Sequence, residues 1–435
     1  MKEHKLGLSL SGGGYRASAF HLGTLKKLHD MKILPLVDVL STISGGSITG
    51  ACYCCHKGSF DSFYQDLYLG LQTKNVIRKI LFSWMGLRFL LLFLALAGSF
   101  YFLFTPQAWL FPVALALILF LVLKYQFNLF PISKRIEEIY DEFFYQGKQL
   151  GELETNPTLV IGATNLQTAR PFTFSKNWMQ DSTYQFLDEP VKFKAAAFPV
   201  ARAVMASSCV PFAFTPVTID RQFFLNPADA DTVHPILVDG GVYDNQGIHK
   251  VMQKGSYACD TVITSDAGSG SSGELHFVNT LSLLMETVNV FMSRIKNAQM
   301  VRNVYDNAST ANRQVAYFSL GWDAENCIEG FIRNLEKKQI PKSVVEAHEL
   351  PVEWQENPKA FTEAITLYLK HRIDYDHVRL PDAAALKTAR SVSTNLTALS
   401  KKQVDGLIAQ AEALTEIQVK LYCPVLIQQF HPVNK

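Results

Sequence analysis

Neither sign of charge dominates this sequence, and its cysteines are few. Its 435 residues include 41 lysines and arginines against 39 aspartates and glutamates, a formal net charge of +2. The strongly basic surface of a nucleic-acid-binding protein is therefore missing, as is any basic-aromatic motif, and we set that class aside. The seven cysteines are odd in number and follow no framework spacing, which favours reduced thiols in a cytosol-facing protein over disulfides.

The first residues also lack the features of an export signal. Met1–Lys5 runs directly into the short segment Leu6–Leu10, without the roughly 7–15-residue apolar stretch of a signal peptide, so we expect no export. Length and composition instead indicate a folded protein. With 48% hydrophobic and 18% charged residues, the chain can form one large domain with additions, or two domains.

One long segment is free of charge. Phe89–Leu123 contains 35 residues without a single charged side chain, too many for one membrane crossing and close to enough for two. Because Pro106 interrupts a helix, we predict two arms, Trp84–Phe104 and Ala108–Leu123, joined by a tight turn. The second arm has only 16 residues and contains Pro112, so a re-entrant or interfacial hairpin is an alternative, as is a pair of buried helices in a soluble core.

The flanks of this segment predict its topology. Basic residues stand on both sides: Arg78, Lys79 and Arg88 before it, and Lys124, Lys134 and Arg135 after it. Basic flanks favour the cytoplasmic side, so we expect a multi-pass hairpin whose two ends, with the rest of the chain, are cytoplasmic. The expected bilayer contact is residues 84–123.

Short apolar segments alternate with helical patterns over the rest of the chain. The predicted strands are Leu6–Leu10, Val37–Ile43, Thr158–Thr164, Pro171–Phe174, Ile236–Val238, Val262–Thr264 and Val315–Leu320. The predicted helices include a segment ending near Leu28, Ile132–Tyr145, Pro199–Ser208, Asn279–Val304 and Lys401–Leu421. Strands interleaved with helices indicate an α/β sheet with substantial parallel pairing.

A first glycine turn follows the first strand. In Ser11-Gly12-Gly13-Gly14-Tyr15-Arg16-Ala17, three glycines allow backbone amides to point into one concavity at the start of a helix. Such a loop could cradle a phosphate or stabilise an oxyanion. It is not the dinucleotide fingerprint, because Ala17 stands where the third glycine would fall, and it lacks the Lys-Ser/Thr of a Walker loop.

A second glycine turn follows the second strand. Gly45-Gly46-Ser47 lies between an apolar strand and a helical segment, which is most of a nucleophile elbow with Ser47 as the nucleophile. Thr49 stands where the elbow's second glycine is expected, and a glycine-rich helix cap is the alternative interpretation. Since ligand sites of open α/β sheets lie at the carboxyl ends of the strands, the two turns can face each other.

A serine nucleophile needs a base, and Asp239 is the candidate. It ends the apolar segment Leu237-Val238 and is followed by Gly240 and Gly241, which allow close approach. A tight hairpin turn is the alternative interpretation of this Asp-Gly-Gly motif.

In order and spacing, these three motifs resemble those of the patatin-like phospholipases. Met205–Pro211 also resembles the small-residue segment that precedes the catalytic aspartate in that family. The resemblance covers about Lys5–Cys55 and Pro157–Gly268 and is weaker over the C-terminal third. It implies a three-layer α/β/α sheet domain, here with an inserted hydrophobic helical hairpin and a helical C-terminal region.

The resemblance implies a Ser-Asp dyad hydrolase that uses no histidine, and we expect neither a metal nor a cofactor. Ser47 would attack an acyl ester of a phospholipid or related lipid, and Asp239 would accept the proton and later activate the water that hydrolyses the acyl-enzyme. The groups implied for the oxyanion hole are the amides of Gly12, Gly13, Gly14 and Ile48, with Arg16 nearby. The glycines that would support the motifs are Gly45, Gly46, Gly240 and Gly241.

Other interpretations stay open. His249 could complete a Ser-Asp-His triad, and Cys52, Cys55 and His56 share a helical face that could suggest a metal, although the spacing of a fourth ligand is missing. The chain could instead be a catalytically silent membrane protein that binds lipid headgroups, a thioesterase, transacylase or peptidase, or a nucleotide-binding protein.

The expected organisation has four parts. Residues 1–75 would form the N-terminal part of the catalytic domain and residues 131–320 its remainder. Residues 76–130 would be the inserted hairpin, and residues 321–435 the mostly helical C-terminal region.

Overall fold

A mixed sheet runs through the centre of the computed structural model, which describes residues 4–270 and 279–428. Over those residues nine strands join in one sheet. They are β1 Leu6–Leu10, β2 Val37–Ile43, β3 Thr158–Asn165, β4 Arg170–Phe174, β5 Met179–Asp181, β6 Val217–Thr218, β7 Ile236–Asp239, β8 Thr261–Asp266 and β9 Gln314–Ser319. The order is β5-β4-β3-β2-β1-β8-β9, with parallel pairing from β3 to β9 and antiparallel pairing at β4 and β5.

Strand β7 occupies an unusual position in this sheet. The first half of β3 pairs with β2, up to the partners Gly162 and Ile43. Beyond that point β3 pairs on the same side with β7, which runs antiparallel to it, and the first partners are Ala163 and Asp239. Strands β2 and β7 therefore meet end to end along one side of β3.

Twenty α-helices accompany the sheet over the described residues, and most of them pack on its two faces. They are α1 Gly14–Asp30, α2 Gly45–Cys55, α3 Phe60–Thr73, α4 Val76–Leu81, α5 Trp84–Ser99, α6 Leu110–Leu129, α7 Ile132–Tyr140, α8 Ser182–Gln185, α9 Val200–Ser207, α10 Gly241–Asp244, α11 Ile248–Met252, α12 Thr280–Met300, α13 Asn307–Thr310, α14 Cys327–Glu336, α15 Lys342–Ala347, α16 Val352–Glu356, α17 Thr362–Arg372, α18 Ala383–Arg390, α19 Lys401–Tyr422 and α20 Pro424–Gln428. Single π-turns, Asp141–Tyr145 and Val301–Tyr305, extend α7 and α12.

The sheet has a core on each face. One core contains the strand valines Val39, Val160 and Val262 together with Ile248 and Val251 of α11. The other is larger and includes α1 and α19. Because each face of the sheet is covered by helices, the predicted α/β fold is confirmed.

The C-terminal helix α19 packs directly on α1. Gly23 lies so close to it that a Cβ atom there would stand 2.6 Å from the Ile408 carbonyl oxygen. Two ion pairs, Lys26 with Glu412 and Lys27 with Glu416, both at 2.8 Å, flank the contact. The C-terminal helices therefore complete the core around the first helix, while the predicted division at residues 320 and 321 stays a prediction.

The uncharged segment forms two helices that project from the rest of the chain. The first arm runs from Trp84 to Phe104, as α5 followed by a 3₁₀ segment, and the second is the 20-residue helix α6. Almost none of their side chains are buried, so they are not core helices of a soluble domain. The predicted end of the second arm at Leu123 was too early, because the helix continues through Lys124 to Leu129, kinking at Tyr125.

Candidate active site

The two glycine turns meet at the carboxyl edge of the sheet. Gly46 N–H donates to the Ser11 carbonyl at 3.0 Å, and a Cβ on Gly45 would collide with the backbone of Gly14. A Cβ on Gly46 would likewise stand 2.5 Å from the Leu10 carbonyl oxygen. Glycines at these positions let the second turn lie directly against the first.

Ser44 connects β2 to α2 in a strained conformation. Its φ is 49° and its ψ is −118°, a combination that is sparsely populated for residues with a side chain. The Ser207 hydroxyl accepts a hydrogen bond from Ser44 N–H at 2.9 Å and donates one to the Gly162 carbonyl at 2.6 Å. A strained serine on a sharp strand-to-helix turn is the geometry of a nucleophile elbow.

The sheet register brings Ser44 to Asp239. Ile43 is the last β2 partner of β3, opposite Gly162, and Asp239 stands opposite the next β3 residue, Ala163. Ser44, which directly follows Ile43, therefore reaches the end of β7. Consistent with this, a hydrogen bond from the Ser44 hydroxyl helps to lower the pKa of the Asp239 carboxyl.

Asp239 is buried and held in place by its neighbours. Burial raises the pKa of its carboxyl to about 6, against the lowering effect of hydrogen bonds from Gly241 N–H and from Ser44. The bond from Gly241 N–H measures 2.7 Å. The Asp239 amide donates to the Cys209 carbonyl at 2.8 Å, and the Thr164 hydroxyl donates to the Asp239 carbonyl at 2.9 Å. The carboxylate is thus fixed and more basic than an exposed aspartate.

Ser47 occupies a different place from the one predicted. It lies inside helix α2, fully buried, and its hydroxyl donates to Thr42 Oγ1 at 3.0 Å and contacts Ser207 Oγ at 3.0 Å. Through the second contact Ser47 touches Ser207, whose hydroxyl accepts the hydrogen bond from Ser44 N–H. The structure therefore brings Ser44 to Asp239, and the assignment of the nucleophile to Ser47 does not agree with this geometry.

A sequence signal for Ser44 was present. The nucleophile of an elbow follows its strand directly, as Ser44 follows Ile43. Gly46 also stands two positions after Ser44, where the motif has its second glycine, whereas Ser47 has Thr49 there.

The two glycine turns contain backbone amides without an acceptor in the part of the chain that the structure describes. Over the described residues, the N–H groups of Gly13, Gly14 and Gly45 donate no hydrogen bond within the chain. By contrast, the Gly12 amide donates to the Asn245 carbonyl at 2.9 Å, and the Ile48 amide donates to the Ser44 carbonyl at 3.4 Å. Of the amides predicted for the oxyanion hole, those of Gly12 and Ile48 are therefore engaged within the chain and, over the same residues, those of Gly13 and Gly14 are free; the amide of Gly45, which was not predicted from the sequence, is also free.

Arg16 lies beside the same loop. Its Nη1 donates to the Val392 carbonyl at 3.2 Å, and its Nη2 would stand 3.2 Å from a Cβ on Gly13. Its Nε is buried and has no partner within the described chain. Burial lowers the pKa of this guanidinium, which nevertheless keeps positive charge beside the amides.

The glycines after Asp239 lie against neighbouring groups. A Cβ on Gly240 would stand close to the Gly162 carbonyl, and one on Gly241 would stand 2.5 Å from Met292 Cε. Helix α12, which carries Met292, therefore passes over the turn that follows the aspartate.

The histidines considered as an alternative base or as a metal ligand make contacts of their own. The backbone amide of His249 donates to Asp244 at 2.7 Å, its ring packs against Tyr243, and burial lowers the pKa of its ring to about 4. The His56 ring pairs with the Ser62 hydroxyl at 2.6 Å. Within residues 4–270 and 279–428, no three His, Cys, Asp or Glu side chains gather as metal ligands.

Comparison with known proteins places this geometry in context. A family model described as "Patatin-like phospholipase" matches residues 8–252. No curated protein matches the sequence significantly. The fold is similar to that of human GIVD cytosolic phospholipase A2, with 11% identity and a TM-score of 0.50 over 98% of this chain and 60% of that one. VipD from Legionella pneumophila matches with 14% identity and a TM-score of 0.34 over 98% of this chain and 91% of that one. The chain thus spans about 60% of the human protein's length, and that likeness concerns the fold alone.

Proposed function

Because the chain belongs to the patatin-like phospholipase family, whose model matches more than half of it, we propose that it is a lipid acyl hydrolase with Ser44 as nucleophile and Asp239 as base. The observation that carries this proposal is the end-to-end meeting of β2 and β7, which sets the strained serine beside the buried carboxylate. Three amides that donate no hydrogen bond within the described residues lie at the two glycine turns, which pack against each other.

The first half of the reaction forms an acyl-enzyme. Asp239 accepts the hydroxyl proton as Ser44 Oγ attacks the ester carbonyl carbon. Negative charge develops on the carbonyl oxygen, where the amides of Gly13, Gly14 and Gly45 can donate to it. When the C–O bond breaks, the protonated Asp239 returns its proton to the leaving alcohol.

The second half releases the fatty acid. Asp239 takes a proton from water, the hydroxide attacks the acyl-enzyme carbonyl, and the same amides stabilise the second oxyanion. Collapse breaks the bond to Ser44, whose oxygen recovers the proton. Because burial raises the pKa of Asp239 to about 6, the carboxylate is ionised at neutral pH and still basic enough for this work.

A substrate panel tests the reaction class. We expect release of free fatty acid from phospholipid vesicles at a higher kcat/KM than from a soluble thioester or a peptide at matched concentration. Product analysis in the presence of an acceptor alcohol separates hydrolysis from acyl transfer. Preference for the soluble donor would contradict a lipid ester substrate, and the absence of turnover and of fluorophosphonate labelling would indicate a silent lipid-binding protein.

We also propose that the two apolar arms anchor the protein in a bilayer with both ends on the cytoplasmic side. Arm α6 has 20 residues, and a helix of that length spans about 30 Å, the thickness of the hydrocarbon core. Arg88 Nη1 donates to the Leu129 carbonyl at 3.4 Å, so the feet of the arms lie side by side. Exposed Trp84 and Tyr125 stand near these feet, where interfacial aromatic residues collect.

Replacing residues 84–129 with a short Gly/Ser linker tests the anchor. Because the feet adjoin and the arms bury almost none of their side chains, we expect the deleted protein to fold and to be soluble without detergent. Its kcat/KM for a soluble ester should stay within about 2-fold, while hydrolysis of vesicle phospholipid should fall roughly 100-fold as the tether's effective concentration is lost. A matched control replaces only residues 105–107 at the tip. Membrane binding that survives the deletion would contradict the proposal.

A further inference from the structure

A short loop lies between the foot of the hairpin and the catalytic aspartate. Residues Val210–Phe214 lie in the connection between α9 and β6, and they fold back through a hydrogen bond from Phe214 N–H to the Val210 carbonyl at 3.1 Å. Phe212 stands at its middle. We call Val210–Phe214 the apical loop.

The N-terminal end of the apical loop is fixed to the active site. Cys209, the residue before the loop, accepts a hydrogen bond from Asp239 N–H at 2.8 Å. Ser207, two residues earlier, accepts one from Gly240 N–H at 3.1 Å and also supports Ser44. The loop therefore begins next to both members of the dyad.

The C-terminal end of the apical loop is fixed to the start of α7, the helix that follows the hairpin. Ser133 N–H donates to Thr215 Oγ1 at 3.1 Å, and the Ser133 hydroxyl donates to the Thr215 carbonyl. The same carbonyl accepts a bond from the Cys209 thiol at 2.9 Å, which closes the base of the loop. Ser133 stands four residues after Leu129, the last residue of α6, and four residues span at most about 14 Å.

Phe212 is both strained and exposed. Its φ is +66°, in the left-handed region, which is uncommon for a bulky aromatic residue. Its side chain is 57% exposed, and within the described residues its ring stacks on no other ring. No ring contact within the described residues offsets this strain, and backbone strain of this kind clusters at sites that bind ligands.

We propose that the apical loop is a second bilayer contact, with Phe212 inserted at the level of the lipid headgroups beside the path by which lipid reaches Ser44. The inference rests on the proposed function and extends it. Ser133, which holds the loop, stands four residues after the last residue of the hairpin that the proposal places in the bilayer. An amphipathic interface accommodates an exposed aromatic ring. Exposed Lys134, next to Ser133, adds positive charge that suits anionic headgroups.

Insertion can be measured without catalysis. The Phe212→Cys variant of the full chain is labelled with an environment-sensitive fluorophore and reconstituted in phosphatidylcholine and phosphatidylserine vesicles whose acyl chains carry bromine. The native thiols compete poorly, since burial raises the pKa of Cys209 and of Cys259 to about 12. We expect strong quenching at position 212 and little at a matched control, Phe186→Cys, whose native ring is 88% exposed. Equal, weak quenching at both positions would overturn the proposal.

The functional consequence is tested with Phe212→Asp. A carboxylate resists insertion, so hydrolysis of vesicle phospholipid should fall at least 10-fold, while kcat/KM for a monomeric soluble ester stays within about 2-fold. Phe186→Asp should change neither rate. Equal losses on both substrates would place Phe212 within the catalytic pocket and overturn the bilayer contact. Quenching at position 212 without turnover by the wild-type chain would instead refute the hydrolase and leave the bilayer contact standing.

Discussion

Replacing Ser44 with alanine should abolish lipid hydrolysis. The side chain that attacks the carbonyl is lost, so turnover is expected to fall by at least about 10⁴-fold, as when other serine hydrolases lose their nucleophile. Covalent labelling by a fluorophosphonate should disappear with it, because the reagent reacts only with an activated serine. Peptide mapping of the labelled wild-type protein should place the adduct on Ser44.

Ser47→Ala is the matched control for that experiment. The two serines lie three residues apart, but the Ser47 hydroxyl bonds to Thr42 and Ser207. Its removal leaves buried partners unsatisfied and should cost about 1–2 kcal/mol of the free energy of unfolding. Fluorophosphonate labelling should persist, with turnover within about 10-fold of wild type, since only the support of Ser207 is weakened. An inactive, folded Ser47→Ala protein beside an active Ser44→Ala protein would return the nucleophile to Ser47.

The contrast between these serines shows what local pattern can reveal. The strands that precede the glycine turns are short segments rich in leucine, valine and isoleucine, each ending at its turn, so Leu6–Leu10 and Val37–Ile43 were predicted to the residue. Both glycine turns and the Asp-Gly-Gly motif were recognised for the same reason. The choice between Ser44 and Ser47, however, depends on where the turn bends, and a difference of one helical turn moves a hydroxyl from the edge of the sheet into the core.

The pairing of strands that are distant in the chain could not be predicted from the sequence. Nothing in Ile236–Asp239 indicates that this strand runs antiparallel to β3 and ends against β2, yet that pairing places the carboxylate. The amide of Gly12 likewise looked available until Asn245, 233 positions away, proved to accept its hydrogen bond. The short strands Met179–Asp181 and Val217–Thr218 carry too few residues for a recognisable alternation.

Asp239→Asn should lower turnover by roughly 10³–10⁴-fold, because an amide cannot accept the serine proton. The backbone geometry should survive, since the asparagine carbonyl can still accept the bond from Gly241 N–H that measures 2.7 Å in the wild type. For the wild-type protein, kcat/KM should rise with pH through about 6 as the carboxyl ionises, and the residual activity of the variant should lack this inflection. A variant with wild-type turnover would show that another group is the base.

The same substitution should stabilise the fold at neutral pH. Burial raises the pKa of Asp239 from 3.8 to about 6, so the folded state binds a proton more tightly than the unfolded chain does. The contribution of Asp239 to the stability of the wild-type protein is therefore fully present below pH 4, and this contribution is lost as the pH rises through 6. Asparagine carries no such cost, and the variant should gain up to about 3 kcal/mol at pH 7.5, seen as a higher Tm. That advantage should shrink towards pH 4. If the variant and the wild-type protein had the same Tm at pH 7.5 as well as at pH 4, the buried carboxylate would not lower the stability of the fold.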